Sequence, residues 1–318
     1  MKVGMYSITY RGVWYDGGAM DMKDVMRFIK KEGWEGIEFD TERPHAAPMD
    51  LSIDERKALK ELSGELDLPI CAVSPSCEIS SPVPIYREAM ICYVRECIKL
   101  AYDLGAPICK IFAAWRGITV YDGLGTYNDT YGADPYPFWK GDRRNFVLAS
   151  LQELSRVAED YGITLALQNH GPDVVHSFRD VLSLIEEVGS PAFKACMDLC
   201  NEEKPGIESA HYAKDMVKRT GDLMVHSHFN GEFERKPDGE IDLTYDEFFG
   251  DRKPSYPAYV EALVESGYKG FMNWEFCHPA KENGEPAGID YVHNQTRLAL
   301  EYMKTLRAEA QSKISGKK

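Results

Sequence analysis

Gln168, Asp198, His228 and Glu275 each end a short apolar run: TLALQ, FKACMD, LMVHSH and GFMNWE. Two carboxylates, an imidazole and an amide oxygen, brought to one point, form a divalent-metal site. Three oxygens and one nitrogen suit a borderline-to-hard ion, so one Mn²⁺ is expected, with Mg²⁺, Co²⁺ or Zn²⁺ as alternatives. An ion that chelates a carbonyl and its neighbouring hydroxyl acidifies the C–H between them and stabilises the enediolate that forms. A base must then reach that proton. Glu275 can serve if one of its oxygens stays off the metal; His170, Lys110 and Glu232 are the other candidates.

His170 stands two residues beyond Gln168 and so belongs to the same rim. It is either the proton-transfer group or a hydrogen-bonded neighbour of the site. Lys110 lies within the apolar run CKIF, where an unpaired ammonium would be costly. It is either catalytic or paired with Glu38 or Asp40; Glu38 is otherwise expected to contact substrate. His226 precedes His228 by two and shares its side of the strand. In Arg43-Pro44-His45, His45 is either a substrate contact or part of a rigid loop corner. Trp14 and Trp115 offer either packing or an aromatic face for a sugar ring. Glu232 is the remaining candidate substrate contact.

These residues are far apart, and something must bring them together. Intervals of 30, 30 and 47 residues separate the four ligands, each long enough for one helix and the next strand. Parallel strands joined by helices carry their C-terminal ends to one face. Strand signals fall at 2–8, 36–40, 69–75, 107–114, 163–169, 193–198, 223–229 and 270–276, with helical patterns between them. Ser52-Ile53-Asp54-Glu55 opens one helix as a capping box. The first strand is not followed by G-x-G-x-x-G, which disfavours a doubly wound nucleotide fold. The pattern predicts a single-domain α/β structure, a (β/α)₈ TIM barrel over residues 1–308, with a frayed polar tail at 309–318.

Two connections are long, after strands four and seven. Residues 115–142 carry Trp115, Tyr121, Tyr127, Tyr131, Tyr136, Phe138 and Trp139; residues 229–255 carry Phe229, Phe233, Tyr245, Phe248 and Phe249. Both belong to the active face of a barrel. The first is expected to be either a substrate lid or a simple cap.

The chain's 318 residues are 44% hydrophobic, enough for one large core, and its net charge of −14 argues against a nucleic-acid partner. Eight scattered cysteines without a C-x-x-C pair read as reduced, buried thiols of a cytoplasmic protein. No run is long and apolar enough for a membrane span. A neutral small molecule is the expected partner, and a homo-oligomer stays open.

With these pieces in place, the chain resembles the xylose isomerase-like TIM barrel superfamily, the sugar phosphate isomerases and epimerases that also include endonuclease IV. The matching segments are GWEGIEFD, LALQNH, CMDLCN, HSHFNGE and NWEFCH, in order and at barrel spacing. The resemblance implies one divalent metal held by Glu, Asp, His and Glu at the ends of strands five to eight, places that fall on Gln168, Asp198, His228 and Glu275. It also implies that His226 touches substrate or supports the ligands. Two positions depart from the family pattern. Gln168 stands where a glutamate both binds metal and moves a proton, and Asn201 stands where many relatives have histidine. Glutamine keeps a carbonyl oxygen for the metal but cannot act as a carboxylate base.

The implied function is a metal-dependent isomerase or epimerase, or a lyase, acting on an unphosphorylated sugar, keto-sugar or cyclitol ketone. Gln168 shifts weight toward one-base elimination. The alternative is a sugar-binding or accessory subunit that kept the barrel and lost catalysis. An endonuclease-like activity would need a basic DNA path and more metal ligands than eight histidines and this acidic charge suggest.

Overall fold

The structure is a computed structural model that describes residues 1–127, 136, 143–171, 174–202, 209–244 and 253–316. Eight parallel strands close into a barrel. They are β1 (Lys2–Tyr6), β2 (Ile37–Asp40), β3 (Ile70–Ser74), β4 (Ile108–Ile111), β5 (Thr164–Gln168), β6 (Phe193–Asp198), β7 (Met224–Phe229) and β8 (Phe271–Trp274). The ring closes where Lys2 to Met5 of β1 pair with Phe271 to Trp274 of β8. The expected (β/α)₈ TIM barrel is the fold observed.

A helix follows each strand: α1 (Met22–Glu32), α2 (Ile53–Glu65), α3 (Pro84–Leu104), α4 (Arg144–Tyr161), α5 (Phe178–Val188), α6 (Ala210–Thr220), α7 (Tyr256–Glu265) and α8 (Ile289–Ser315). The sequence explains their ends. α1 buries Met22, Val25, Met26 and Ile29, one face at helical spacing, and Gly33 stops it in the left-handed region at φ 98°. Both halves of the Ser52/Glu55 capping box form at the start of α2.

The segment from Glu309, expected to fray, instead continues α8 to Ser315, with Ala310 buried. Its Ala, Glu, Gln and Lys residues favour helix, so polarity alone was a poor guide there. β1 also ends sooner than its apolar run, because Ser7–Tyr10 turns into a buried 3₁₀ helix.

Both long connections begin as hairpins. Thr119–Tyr121 pairs with Leu124–Thr126 after β4, and Glu232–Arg235 with Ile241–Thr244 after β7. Tyr131, Phe138 and Trp139 of the expected lid lie outside the described residues, as do Tyr245, Phe248 and Phe249. All eight cysteines are free thiols; Cys92 is exposed, Cys277 half-buried and the other six buried. No described helix is long and apolar enough to cross a membrane.

Strand register sets up the site. Asp198 pairs with His228 across β6 and β7, and His228 pairs with Asn273 across β7 and β8. Ala166 and Cys196 stand two residues before Gln168 and Asp198, on the same strand faces, and pack with Ala72 and Ile108 as a small apolar cluster.

Candidate metal and substrate site

One carboxylate oxygen each from Asp198 and Glu275 and one nitrogen of His228 lie within 4.8 Å of one another, and all three residues are buried. His228 Nδ1 is 3.4 Å from Glu275 Oε2. Gln168, at the end of β5, reaches the same place, its Nε2 donating to Asp198 Oδ2 at 3.3 Å. The structure therefore gathers all four residues expected to hold metal.

Two buried atoms here have no hydrogen-bond partner: Gln168 Oε1 and His228 Nδ1. An orphaned amide oxygen next to two buried carboxylates is unfavourable without a cation. Three oxygens and a nitrogen fit a divalent ion of the hard-to-borderline kind. The electrostatics agree. Burial, with Glu275 beside it, pushes Asp198 up to about 6. Burial opposes charge on His228, but Glu38 and Glu275 outweigh it and push the imidazole up to about 9. Burial likewise opposes charge on Glu275, yet His228 holds its carboxyl below the usual range.

Asp198 is firmly anchored. Its Oδ1 accepts from Cys200 N at 2.9 Å and its Oδ2 from Asn201 Nδ2 at 2.6 Å. Asn169 grips its backbone on both sides, accepting from Asp198 N at 2.7 Å and donating to Asp198 O at 2.8 Å. Asn169 is held in turn by Glu202 Oε1 at 2.7 Å. Asn201 thus spends its amide on a ligand, at the place where many relatives have histidine.

A pocket opens beside this centre. Its lining includes Glu275, His170, Trp115, Tyr127, Phe112 and Arg11. Glu275 is both a member of the candidate metal centre and a pocket residue. His170 stands edge-on to Trp115 at 4.3 Å and to Phe112 at 5.1 Å between ring centres, and its Nδ1 donates to the Gly171 carbonyl. Trp115, expected as an aromatic face, is here. Trp14 lies one ring further out, 5.5 Å from Tyr127.

The remaining expected residues do not line this pocket. Lys110 is fully buried, 3.8 Å from Glu38 Oε1 and 3.9 Å above the Phe112 ring. That is the ion pair weighed against catalysis. Glu38 and His226 are also fully buried, bonded to each other at 2.7 Å, and neither lines the pocket. His45 turns to the Met20 carbonyl at 3.2 Å, and burial with Arg11 nearby pushes it down to about 4. Glu232 is bonded to His278 Nε2 at 2.8 Å and Tyr291 Oη at 2.7 Å.

Sequence reasoning missed Arg11, Asn169, Asn230 and Asn273. Arg11 lines the pocket while Asp40 and Glu42 hold its guanidinium at 3.1 and 2.5 Å. Asn230 donates to Glu275 Oε1 at 3.2 Å. Asn230 and Asn273 each sit two residues from an expected ligand, so strand alternation was the signal that could have found them.

Comparison with known proteins agrees with this architecture. A sequence profile of the family described as xylose isomerase-like TIM barrel matches residues 26–305. A fructoselysine 3-epimerase of Shigella flexneri is 24% identical over 284 residues, covering 86% of this chain and 90% of that protein. A crystal structure of D-psicose 3-epimerase with D-tagatose, from Clostridium cellulolyticum H10, superposes with a TM-score of 0.71 at 18% identity. The match covers 96% of this chain and 99% of that one. A 3-keto-D-glucoside 4-epimerase from E. coli gives 0.68 at 16% identity, with the same coverage. The profile spans most of the sequence and ends within α8, and the chain belongs to the xylose isomerase-like TIM barrel family.

Proposed function

We propose that the protein is a divalent-metal-dependent isomerase or epimerase acting on an unphosphorylated sugar or keto-sugar. The observation that carries this reading is the convergence of Asp198, His228 and Glu275, with Gln168 alongside, next to a pocket that Glu275 shares with His170. The relatives named as sugar epimerases support the substrate class. When bound, a divalent cation there would supply the charge that acidifies a C–H beside a carbonyl.

The chain's own groups divide the remaining work. Gln168 contributes an amide oxygen and no base. Glu275 and His170 both line the pocket, so two proton-transfer groups remain available. With Nδ1 of His170 engaged to the Gly171 carbonyl, the basic nitrogen is Nε2. If both groups move protons, the outcome is epimerisation or isomerisation. If only Glu275 does, one-base chemistry remains: a suprafacial proton shift between neighbouring carbons or, where the substrate carries a leaving group beside the acidified carbon, its elimination.

Trp115 and Tyr127 give the pocket an aromatic wall suited to a sugar's C–H face. Two cations of the site are already balanced: Asp40 and Glu42 hold Arg11, and Glu38 faces Lys110. This supports an uncharged substrate.

The test is solvent deuterium exchange at the carbon next to the carbonyl across a panel of keto-sugars, with metal-loaded and chelator-stripped protein. Metal-dependent exchange is expected, and product analysis then separates epimerisation from elimination. Absence of exchange with every ketone would overturn the reading and favour a binding or accessory protein.

A further inference from the structure

Glu38 is a fully buried carboxylate with an unusual set of partners. Its Oε2 accepts from His226 Nε2 at 2.7 Å, His228 Nε2 at 2.7 Å and Asn273 Nδ2 at 2.8 Å. Its Oε1 faces Lys110 Nζ at 3.8 Å. It lies outside the lining of the pocket beside the candidate metal centre. A buried charge is retained at a cost in desolvation, and its hydrogen bonds must compensate. The structure assigns Glu38 as the positioning residue for the ligand His228, an inference that rests on the metal-centre reading above.

A neutral imidazole carries one N–H, and the partner of that N–H decides which nitrogen keeps the lone pair. Glu38 takes the N–H of His228 at Nε2. In the neutral imidazole that ligation requires, Nδ1 is therefore the nitrogen left with a lone pair, and it is the one beside Glu275 Oε2, at 3.4 Å. The carboxylate–histidine pair fixes both the tautomer and the ring's rotation, and it strengthens the imidazole as a donor to metal.

Three further residues hold Glu38 in place. Asn273, two residues before Glu275 on β8, and His226, two before His228 on β7, tie the same oxygen to the two strands that supply ligands. Lys110 faces the other oxygen from β4 and favours the charged carboxylate. The same arrangement explains why Glu38, His226 and His228, though close enough to hold an ion, do not look like a second metal site. Donor hydrogens of Asn273 and both histidines converge on the Glu38 oxygen and would face a cation.

The experiment is calorimetric titration of Mn²⁺ into chelator-stripped protein, comparing wild type with Glu38→Gln and Asp198→Ala, with thermal melts of each metal-free form. Glu38→Gln should bind Mn²⁺ roughly 10–100-fold more weakly. Asp198→Ala should lose binding. If Asp198→Ala binds as wild type does, the metal-centre reading fails. If Asp198→Ala loses binding but Glu38→Gln keeps wild-type affinity, even with a lower melting temperature, Glu38 is only structural and the inference fails.

A second measurement covers the case in which Glu38→Gln does not fold. Nitrogen-15 spectra of the imidazoles in Mg²⁺-loaded wild type should show His228 protonated at Nε2 and not at Nδ1. Protonation at Nδ1 would overturn the assignment.

Discussion

Gln168 donates its amide nitrogen to Asp198 Oδ2 at 3.3 Å while its own oxygen has no hydrogen-bond partner. Rotation about the terminal torsion exchanges the two ends of the amide. The residue can therefore turn a donor toward Asp198 when the site is empty and a carbonyl toward an ion when it is filled. Glutamate could not make the first of these contacts.

Gln168→Glu should consequently have two opposite effects. Without metal, a third carboxylate beside Asp198 and Glu275 adds like-charge repulsion and lowers the melting temperature. With metal, the added charge strengthens binding, so saturating Mn²⁺ should raise the melting temperature more than it does in wild type. Turnover need not rise. Melts with and without Mn²⁺ check this, and a smaller metal-induced rise in the variant would show that Gln168 is not a ligand.

Metal binding should release a proton. His228 is pushed up to about 9, chiefly by Glu38 and Glu275 against the effect of burial. Ligation needs the Nδ1 lone pair, so a proton competes with the ion below that value. Apparent affinity should rise with pH from about 7 toward 9, by up to about tenfold per unit. Titrations at pH 7.5 in buffers of differing ionisation enthalpy should report close to one proton released per ion. A pH-independent affinity would mean that His228 is not a ligand.

Lys110 and His170 should separate cleanly. His170→Ala leaves the metal centre intact and should lower kcat roughly 10²–10⁴-fold with metal still bound. Lys110→Met breaks the buried pair with Glu38 and should cost about 3–5 kcal/mol of stability. Denaturant titration and elemental analysis distinguish the two. A His170→Ala variant with wild-type kcat would leave proton transfer to Glu275 alone.

Asn169→Ala should destabilise the protein out of proportion to its size. It strips partners from the Asp198 N–H and carbonyl, each a buried group costing roughly 1–3 kcal/mol when unsatisfied, while Glu202 keeps its bond from Phe178 N. Urea unfolding measures the loss. A change below about 0.5 kcal/mol, the range of an ordinary surface substitution, would mean the clamp is not needed.

The barrel and the four converging residues were legible because both follow from local pattern. Strand runs end in polar residues, and parallel strands must deliver those ends to one face. Glu38 was visible at the end of β2 but its role was not. Its three donors come from β7 and β8, 188 to 235 residues away, and only register decides whether they meet it. Lys110 is anomalous in an apolar strand on sequence alone, but its approach to Glu38 depends on how β2 and β4 are placed in the barrel. His45 looked available beside Pro44 but is turned to a backbone carbonyl. The tail from Glu309 is ambiguous in sequence because polar composition fits both a frayed end and the helix that forms.

Anomalous diffraction from crystals of the Mn²⁺-loaded protein would locate the ion itself. One peak is expected, bound by Asp198, Glu275, His228 Nδ1 and the Gln168 amide oxygen, with Glu38 still accepting from His228 Nε2. A peak among Glu38, His226 and His228 instead, or no peak at either group under saturating Mn²⁺, would contradict it.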